Sequence, residues 1–332
     1  MKHGANIYKY AKKLNCTPEE IYDFSSNINL YQPTQTLTLD SSTVSRYAES
    51  SYSALKNVIA QNYDIDTKEI ALYNGATAAI FALIASLKRK DVFLYAPLFG
   101  EYEKACKSAK KNIYKINRIT DEESLPTEDS VVVFVNPSTP EGAYTELDTL
   151  LEMWMEKECV IILDESFLEF EALPSQREKI KSYKKLYIVQ SFSKFYSCGG
   201  VRVGAIFAHK KSIKKLPQPL WNLSSFDDTF LQQRLSDEDF KVETRELHKK
   251  QKKELINILE QSRLFEEIVE SDANFILTYS EKGKKIFKHL LAHKILLRTC
   301  GSFDYLNNNW LRFAVKDEEA HNRLKEALLA FA

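Results

Sequence analysis

Residues 191–204 read SFSKFYSCGGVRVG, and this segment carries the strongest chemical signal in the chain because it places one lysine among groups that bind phosphate. The amine of Lys194 can form a Schiff base with the aldehyde of pyridoxal phosphate (PLP). Ser191, Ser193 and Arg202 can bind the phosphate of that cofactor, and the small residues before Arg202 let the backbone approach it closely. The segment therefore predicts a PLP site.

An acidic residue upstream strengthens this interpretation. Asp164 directly follows the apolar run 160–163, which reads VIIL and is typical of a buried strand. A carboxylate at the end of such a strand can pair with the pyridinium nitrogen of PLP, and the protonated ring is what makes the cofactor an electron sink. A lysine near a glycine-rich turn and an acid at a strand end are each ordinary features, but together they favour PLP over a chance arrangement.

Length and charge limit the classes of protein to consider. The chain has 332 residues, which suits a large domain with a smaller companion. Lys and Arg together number 46, as do Asp and Glu, so no net electrostatic field attracts nucleic acid or an anionic membrane. The sequence therefore predicts an enzyme with a small-molecule substrate and with neither nucleic acid nor membrane as a partner.

Cysteine usage and the amino terminus predict a cytoplasmic protein. The five cysteines are widely scattered and lack C-x-x-C spacing, which argues against a disulfide framework and against a zinc site. We expect them to be reduced thiols. Residues 1–6 lack the apolar core of a signal peptide, and no run approaches the roughly 18 apolar residues that a membrane helix requires.

Apolar runs alternate with helical patterns through the first two thirds of the chain, and this alternation predicts a mainly parallel sheet covered by helices on both faces. The runs are 70–73, 92–95, 131–135, 159–163, 186–190 and 203–208. Loops at the carboxyl ends of such strands hold the ligand. The first run is followed by Gly75, Ala76 and Thr77, which open a helical pattern over 78–87, so we expect backbone amides there to face a phosphate.

The pattern changes after the segment 216–219, where two prolines interrupt it. A long charged stretch from Asp237 to about Ser262 predicts a connecting helix with one solvated face. A smaller α/β unit follows, with strands near 274–279, 296–298 and 311–315, a helix over 282–293 and a closing helix from 318. Near the amino terminus, Thr17, Pro18 and Glu20 form a capping-box pattern that predicts a short helix. The predicted domains are an arm over 1–40, a PLP-binding domain over 41–230, and a linker helix with a small domain over 231–332.

The order of these motifs resembles the fold-type I PLP enzymes, within the class I/II aminotransferase group that contains histidinol-phosphate aminotransferase and threonine-phosphate decarboxylase. The decarboxylase branch is the nearer match, because its amino-terminal patterns appear here as HGANI at 3–7 and DFSSNIN at 23–29. The resemblance covers nearly the whole chain. It implies an α/β fold with a mainly parallel seven-stranded sheet between helices, a smaller C-terminal α/β domain and an N-terminal arm.

The resemblance also implies roles for individual residues. Lys194 is the Schiff-base lysine, Asp164 the pyridinium partner and Phe99 the ring stacked on the cofactor. The remaining implied cofactor contacts are Gly75, Ala76, Thr77, Asn136, Thr139, Ser191, Ser193 and Arg202, with Tyr47 reaching the cofactor phosphate of a neighbouring subunit. The implied substrate contacts are Arg312 for the carboxylate, Arg298 with His3 for a phosphate, and Asn27.

Two positions depart from the family pattern. Thr139 stands where an asparagine usually donates to the phenolic oxygen of the cofactor, and its hydroxyl is shorter. Phe167 stands where the aminotransferases commonly have a tyrosine that donates to the same oxygen, whereas decarboxylase-like members have phenylalanine. Asn136 is a candidate to compensate for the missing donors.

The implied activity is PLP-dependent decarboxylation of an O-phosphorylated amino acid. The substrate would be L-threonine O-3-phosphate and the product aminopropanol phosphate, as in cobalamin side-chain synthesis. Two planar guanidinium groups, Arg298 and Arg312, suit the two anions of such a substrate. The alternatives are an aminotransferase of the histidinol-phosphate type, which uses the same groups, and a weakly active or non-catalytic PLP-binding protein. The role that the resemblance implies for Tyr47 also implies a homodimer with shared active sites.

Overall fold

The computed structural model describes residues 6–32, 41–121 and 124–331. Within them it has thirteen strands: β1 Tyr22–Asp23, β2 Ile70–Asn74, β3 Asp91–Ala96, β4 Asn112–Asn117, β5 Val131–Val135, β6 Val160–Asp164, β7 Leu186–Ser191, β8 Val203–Ala208, β9 Glu267–Ile268, β10 Phe275–Tyr279, β11 Ile295–Leu296, β12 Arg298–Thr299 and β13 Trp310–Ala314.

Eleven α-helices accompany these strands in the described part of the chain. They are α1 Ile7–Leu14, α2 Ser42–Ser45, α3 Ser53–Tyr63, α4 Gly75–Ser86, α5 Glu101–Ser108, α6 Asp148–Glu156, α7 Lys210–Ile213, α8 Ser225–Leu235, α9 Glu238–Ser262, α10 Gly283–Ala292 and α11 Glu318–Leu329. The long α9 begins where an Asp237 carboxylate oxygen accepts a hydrogen bond from the backbone N–H of Phe240 at 2.9 Å. None of these helices is long and apolar enough to cross a lipid bilayer.

Seven strands form the large sheet in the order β2-β8-β7-β6-β5-β3-β4. All its pairs are parallel except those of β8, which runs antiparallel to both β2 and β7. The predicted mainly parallel sheet is therefore confirmed. The edge strand β4 was not predicted, because its sequence NIYKIN mixes polar and apolar residues and contains no apolar run.

Two hydrophobic clusters cover the two faces of this sheet. On β5, Val132 and Phe134 belong to one cluster, whereas Val131, Val133 and Val135 belong to the other. Successive side chains of a strand point to opposite faces, so a strand that is buried on both faces has an uninterrupted apolar sequence. Because β3 to β7 run parallel, their carboxyl ends meet at one edge of the sheet, and polar side chains that follow them lie together there.

A smaller antiparallel sheet, in the order β12-β13-β10-β9, follows the long helix α9. The amino-terminal segment joins this unit, since β1 pairs in parallel with β11 and Phe24 is buried in the same cluster as Ile276 and Phe313. The helix predicted after Thr17 is a single 3-10 turn, Pro18–Glu20, because the chain becomes extended at once to pair with β11. The α-helix of this segment is α1, which precedes the turn.

Candidate active site

A cleft of about 640 Å³ opens between the carboxyl edge of the large sheet, the small sheet and the amino-terminal segment. It brings together eleven of the residues that the sequence analysis selected. They are Asn27, Ala76, Thr77, Phe99, Thr139, Asp164, Ser193, Lys194, Arg202, Arg298 and Arg312. The cleft thus collects residues from distant parts of the chain around one lysine amine.

Lys194 lies in the loop after β7, and its ammonium nitrogen Nζ is 3.2 Å from Ser191 Oγ. Burial lowers the pKa of Lys194, and the positive charges of Arg202 and Arg312 lower it further, although Asp164 opposes them. A lowered pKa increases the fraction of neutral amine, which is the form that attacks a carbonyl carbon. The backbone carbonyl of Lys194 also accepts a hydrogen bond from the N–H of Asn29 at 2.9 Å, which ties the amino-terminal segment to this loop.

Asp164 ends β6 with its carboxyl group fixed by two donors. The hydroxyl of Tyr102 donates to Oδ2 at 2.8 Å, and the backbone N–H of Ser166 donates to Oδ1 at 3.1 Å. Tyr102 is fully buried on α5, and burial together with the Asp164 charge raises its pKa, so this phenol stays protonated as a donor. The sequence analysis did not identify Tyr102, because nothing in the local pattern shows which side chain reaches Asp164.

The amino terminus of α4 and Arg202 form a phosphate-sized cradle. A Cβ built on Gly75 would lie 2.6 Å from Arg202 Nη2, and one built on Gly204 would lie 2.3 Å from the backbone nitrogen of Ala76. Only glycine permits these approaches, and the close packing aims a guanidinium group and free helix amides at one point. The hydroxyls of Ser191 and Ser193 are 3.0 Å apart at the same place. These groups fit the phosphate of PLP.

Arg298 and Arg312 lie directly opposite each other on β12 and β13. Arg312 donates to Thr139 Oγ1 at 3.2 Å and to the Ser25 carbonyl at 3.1 Å, while its Nε has no hydrogen-bond partner. Burial lowers the pKa of Arg312 to about 10, and the nearby charge of Arg298 acts in the same direction. Within the described part of the chain neither guanidinium forms an ion pair with a carboxylate, so these two buried, like-charged groups provide a site for anions.

Four of the predicted residues that the structure describes do not line the cleft. Gly75 and Ser191 lie just behind it, in contact with Arg202 and Lys194. The amide nitrogen of Asn136 donates to the carbonyl of Thr145 at 2.9 Å and its oxygen accepts from the N–H of Thr145 at 2.8 Å, so Thr145 fixes the orientation of this side chain and uses one of its two amide N–H bonds. Tyr47 is 80% exposed and stacks on Trp221. His3 lies outside the described residues.

The model of one protein family, described as aminotransferase class I and II, matches residues 1–328. The chain belongs to this family. It is 29% identical to the adenosylcobalamin biosynthesis bifunctional protein CobDQ of Leptospira interrogans over 98% of this chain, and it spans 40% of the length of that relative. It is 25% identical to the threonine-phosphate decarboxylase of Salmonella typhimurium, with 98% of this chain and 95% of the relative covered.

A solved structure of the same family has a closely similar fold. It is the histidinol-phosphate aminotransferase from Clostridium acetobutylicum, with a TM-score of 0.80, 27% identity, and 93% of this chain and 98% of that chain covered. The family consists of PLP-dependent enzymes, and PLP is the cofactor of this chain. The cleft fits it through the desolvated amine of Lys194, the oriented carboxyl of Asp164 and the phosphate cradle.

Proposed function

We propose that the chain decarboxylates an O-phosphorylated amino acid, L-threonine O-3-phosphate, to give aminopropanol phosphate for a cobalamin-type side chain. The observation that carries the proposal is the pair of buried guanidinium groups on β12 and β13, which line the same cleft as Lys194. A substrate with a carboxylate and a phosphate at its two ends matches this pair of cations. The similarity to named threonine-phosphate decarboxylases over nearly the whole chain supports the same choice.

The cofactor, when bound, draws electrons from the bonds of the substrate α-carbon into its ring. In our proposal, Lys194 would hold the cofactor through its amine, and Nζ would carry a proton to the substrate α-carbon. Asp164 would keep the ring nitrogen protonated, Phe99 would pack on the ring, and the phosphate would be bound by Arg202 with Ala76, Thr77, Ser191 and Ser193. The role of Thr139 is to accept a hydrogen bond from Arg312.

The anion-binding groups select the reaction by orienting the substrate. We assign the carboxylate to Arg312, and the phosphate to Arg298 together with His3, with Asn27 also contacting the substrate. By fixing the two anions, the two arginines would set the orientation of the substrate α-carbon in the cleft, and this orientation would determine whether carbon dioxide or a proton leaves. Loss of either arginine should therefore have a distinct effect.

We predict that Arg298→Ala raises KM for L-threonine O-3-phosphate on the order of 10- to 100-fold, since hydrogen bonds to charged groups contribute about 1.5–3 kcal/mol. PLP binding should change little. Arg312→Ala should instead lower kcat, because the carboxylate is no longer held in place. Steady-state kinetics checks both, with Arg298→Lys as the control that keeps the charge but loses the planar fork. Identical effects of the two alanine variants would contradict the division of roles.

An aminotransferase of the histidinol-phosphate type is the second candidate, favoured by the 27% identity to the Clostridium structure. The deciding experiment incubates the purified, PLP-loaded protein with L-threonine O-3-phosphate and measures carbon dioxide and keto acid. Carbon dioxide supports the decarboxylase, and a keto acid in its place supports the aminotransferase. If the protein binds PLP but turns over neither this substrate nor histidinol phosphate with an oxo-acid acceptor, it is a weakly active or non-catalytic PLP-binding protein.

We further propose that the working unit is a homodimer in which Tyr47 reaches the cofactor phosphate of the neighbouring subunit. The tyrosine is 80% exposed and held by stacking on Trp221 with ring centres 4.6 Å apart, so its hydroxyl is available to a second copy. Tyr47→Phe is expected to weaken PLP retention about tenfold, in line with one hydrogen bond to a charged group. Equilibrium dialysis measures this loss. Light scattering that shows an active monomer would disprove the shared site.

A further inference from the structure

The segment 300–309, which we call the β12–β13 loop, forms part of the cleft wall and is closed on itself. The N–H of Cys300 donates to the carbonyl of Trp310 at 2.9 Å, and the N–H of Phe303 donates to the carbonyl of Cys300 at the same distance. A Cβ built on Gly301 would lie 2.2 Å from Asn308 Oδ1, so the two sides of the loop touch. The loop is therefore a compact unit. Its position depends on the strands β12 and β13 at its two ends and on the contacts made by its tip.

The β12–β13 loop makes two contacts with the arginine assigned to the substrate phosphate. Ser302 Oγ accepts a hydrogen bond from Arg298 Nη2 at 2.8 Å. The ring of Phe303 lines the cleft, and its centre lies 5.2 Å from the Arg298 guanidinium carbon. A shift of the loop thus changes the direction in which the Arg298 guanidinium points.

Ion pairs hold the tip of the loop against the large sheet, which forms another side of the cleft. Asp304 Oδ1 lies 2.7 Å from Lys115 Nζ, and the same nitrogen lies 3.1 Å from Glu103 Oε2. Lys115 is on the edge strand β4 and Glu103 is on α5. The three side chains are 25%, 28% and 16% exposed for Asp304, Lys115 and Glu103, so water and salt screen the contact only in part. We call this set the cross-cleft triad.

Electrostatics support a persistent contact. Burial alone would lower the pKa of Lys115, but hydrogen bonds to Asp304 and Glu103 outweigh it and raise the pKa, so the ammonium stays charged. A second link runs alongside, where the hydroxyl of Tyr305 is 3.5 Å from the Lys115 carbonyl oxygen. The helix that carries Glu103 also carries Tyr102, the donor to Asp164. The triad therefore connects the loop that contacts Arg298 to helix α5, whose Tyr102 orients the carboxyl group of Asp164.

We propose that Asp304 and Lys115 are positioning residues, which hold the β12–β13 loop against the large sheet and thereby direct Arg298 and Phe303 toward the phosphate end of the substrate. The inference rests on the proposed function for the identity of the substrate. Its structural half, that the ion pair holds the loop in place, does not depend on the reaction.

The test uses the PLP-loaded protein and the variants Asp304→Asn, Lys115→Met and the double variant, with Asp148→Asn as the matched control. Asp148, on α6, forms an ion pair with Lys179 at 2.5 Å, and neither residue lines the cleft; the Asp148 side chain is 76% exposed, against 25% for Asp304. The first measurement is hydrogen–deuterium exchange of peptides that cover 300–309, without substrate. The second measurement is steady-state kinetics with L-threonine O-3-phosphate, which determines KM and kcat separately.

Asp304→Asn and Lys115→Met should each speed exchange in the loop and raise KM about fivefold, with kcat within twofold of wild type. The double variant should match either single variant, because both remove the same contact. Unchanged exchange in the loop, or an equal change in Asp148→Asn, would overturn the inference, as would faster exchange with an unchanged KM. If the wild type releases neither carbon dioxide nor keto acid, the proposed function fails, while the exchange measurement still decides whether the triad holds the loop.

Discussion

Lys194→Ala is expected to abolish turnover, with a fall in kcat of at least about a thousandfold, because in the proposed mechanism one amine both holds the cofactor and moves the proton. Lys194 is the one lysine among the described residues that line the cleft, so no second described amine there can replace it. Noncovalent PLP binding should persist, since Arg202 and the amino terminus of α4 remain. Discontinuous assays of carbon dioxide release from L-threonine O-3-phosphate measure the fall in kcat.

Borohydride reduction provides a readout of Lys194 that does not depend on the substrate. In the wild type, reduction should fix the cofactor on the peptide that contains Lys194, and in the alanine variant no fixed cofactor should be found. Lys214→Ala, at an exposed position, is the control and should behave as wild type. Recovery of the reduced cofactor on any other lysine would refute the assignment.

The placement of Lys194 and Asp164 could be predicted from the sequence for a physical reason. Both follow apolar runs that are long enough only for strands, and parallel strands bring their carboxyl ends to one edge of the sheet. The glycine at position 75 was informative for the same reason, since it lies between such a strand and a helix. In each case the local pattern already determines the position in the fold.

Contacts between distant segments could not be predicted in this way. Nothing near Tyr102 shows that its hydroxyl reaches Asp164, and nothing near Asp304 shows that it meets Lys115. The first contact depends on how α5 packs on the large sheet, and the second depends on how the two sheets lie against each other. No local period in the sequence encodes either arrangement. The two hydrogen bonds between Asn136 and Thr145 are of the same kind, since nothing near Asn136 in the sequence shows that Thr145 fixes its orientation.

Asp164→Asn is expected to lower kcat by about two to four orders of magnitude while leaving PLP binding largely intact. A neutral amide cannot hold the ring nitrogen protonated, and that charge is what makes the cofactor accept electrons. The substitution should preserve the fold, because the amide oxygen of asparagine can still accept from the backbone N–H of Ser166, and the Tyr102 hydroxyl can turn to accept from the amide NH2. Absorbance titration with PLP and steady-state kinetics separate cofactor retention from turnover.

Tyr102→Phe tests the same acid through its neighbour and should have a smaller effect. The carboxylate remains, but it loses one of its two orienting donors, while the Ser166 backbone N–H still binds Oδ1. We expect kcat to fall about tenfold, in line with one hydrogen bond to a charged group. The double variant should be no worse than Asp164→Asn alone, since Tyr102 acts through that carboxyl. Near-normal kcat in Asp164→Asn would mean that this residue is only a strand-end acid, and a Tyr102→Phe defect that persists in the Asp164→Asn background would mean that the phenol acts elsewhere in the site.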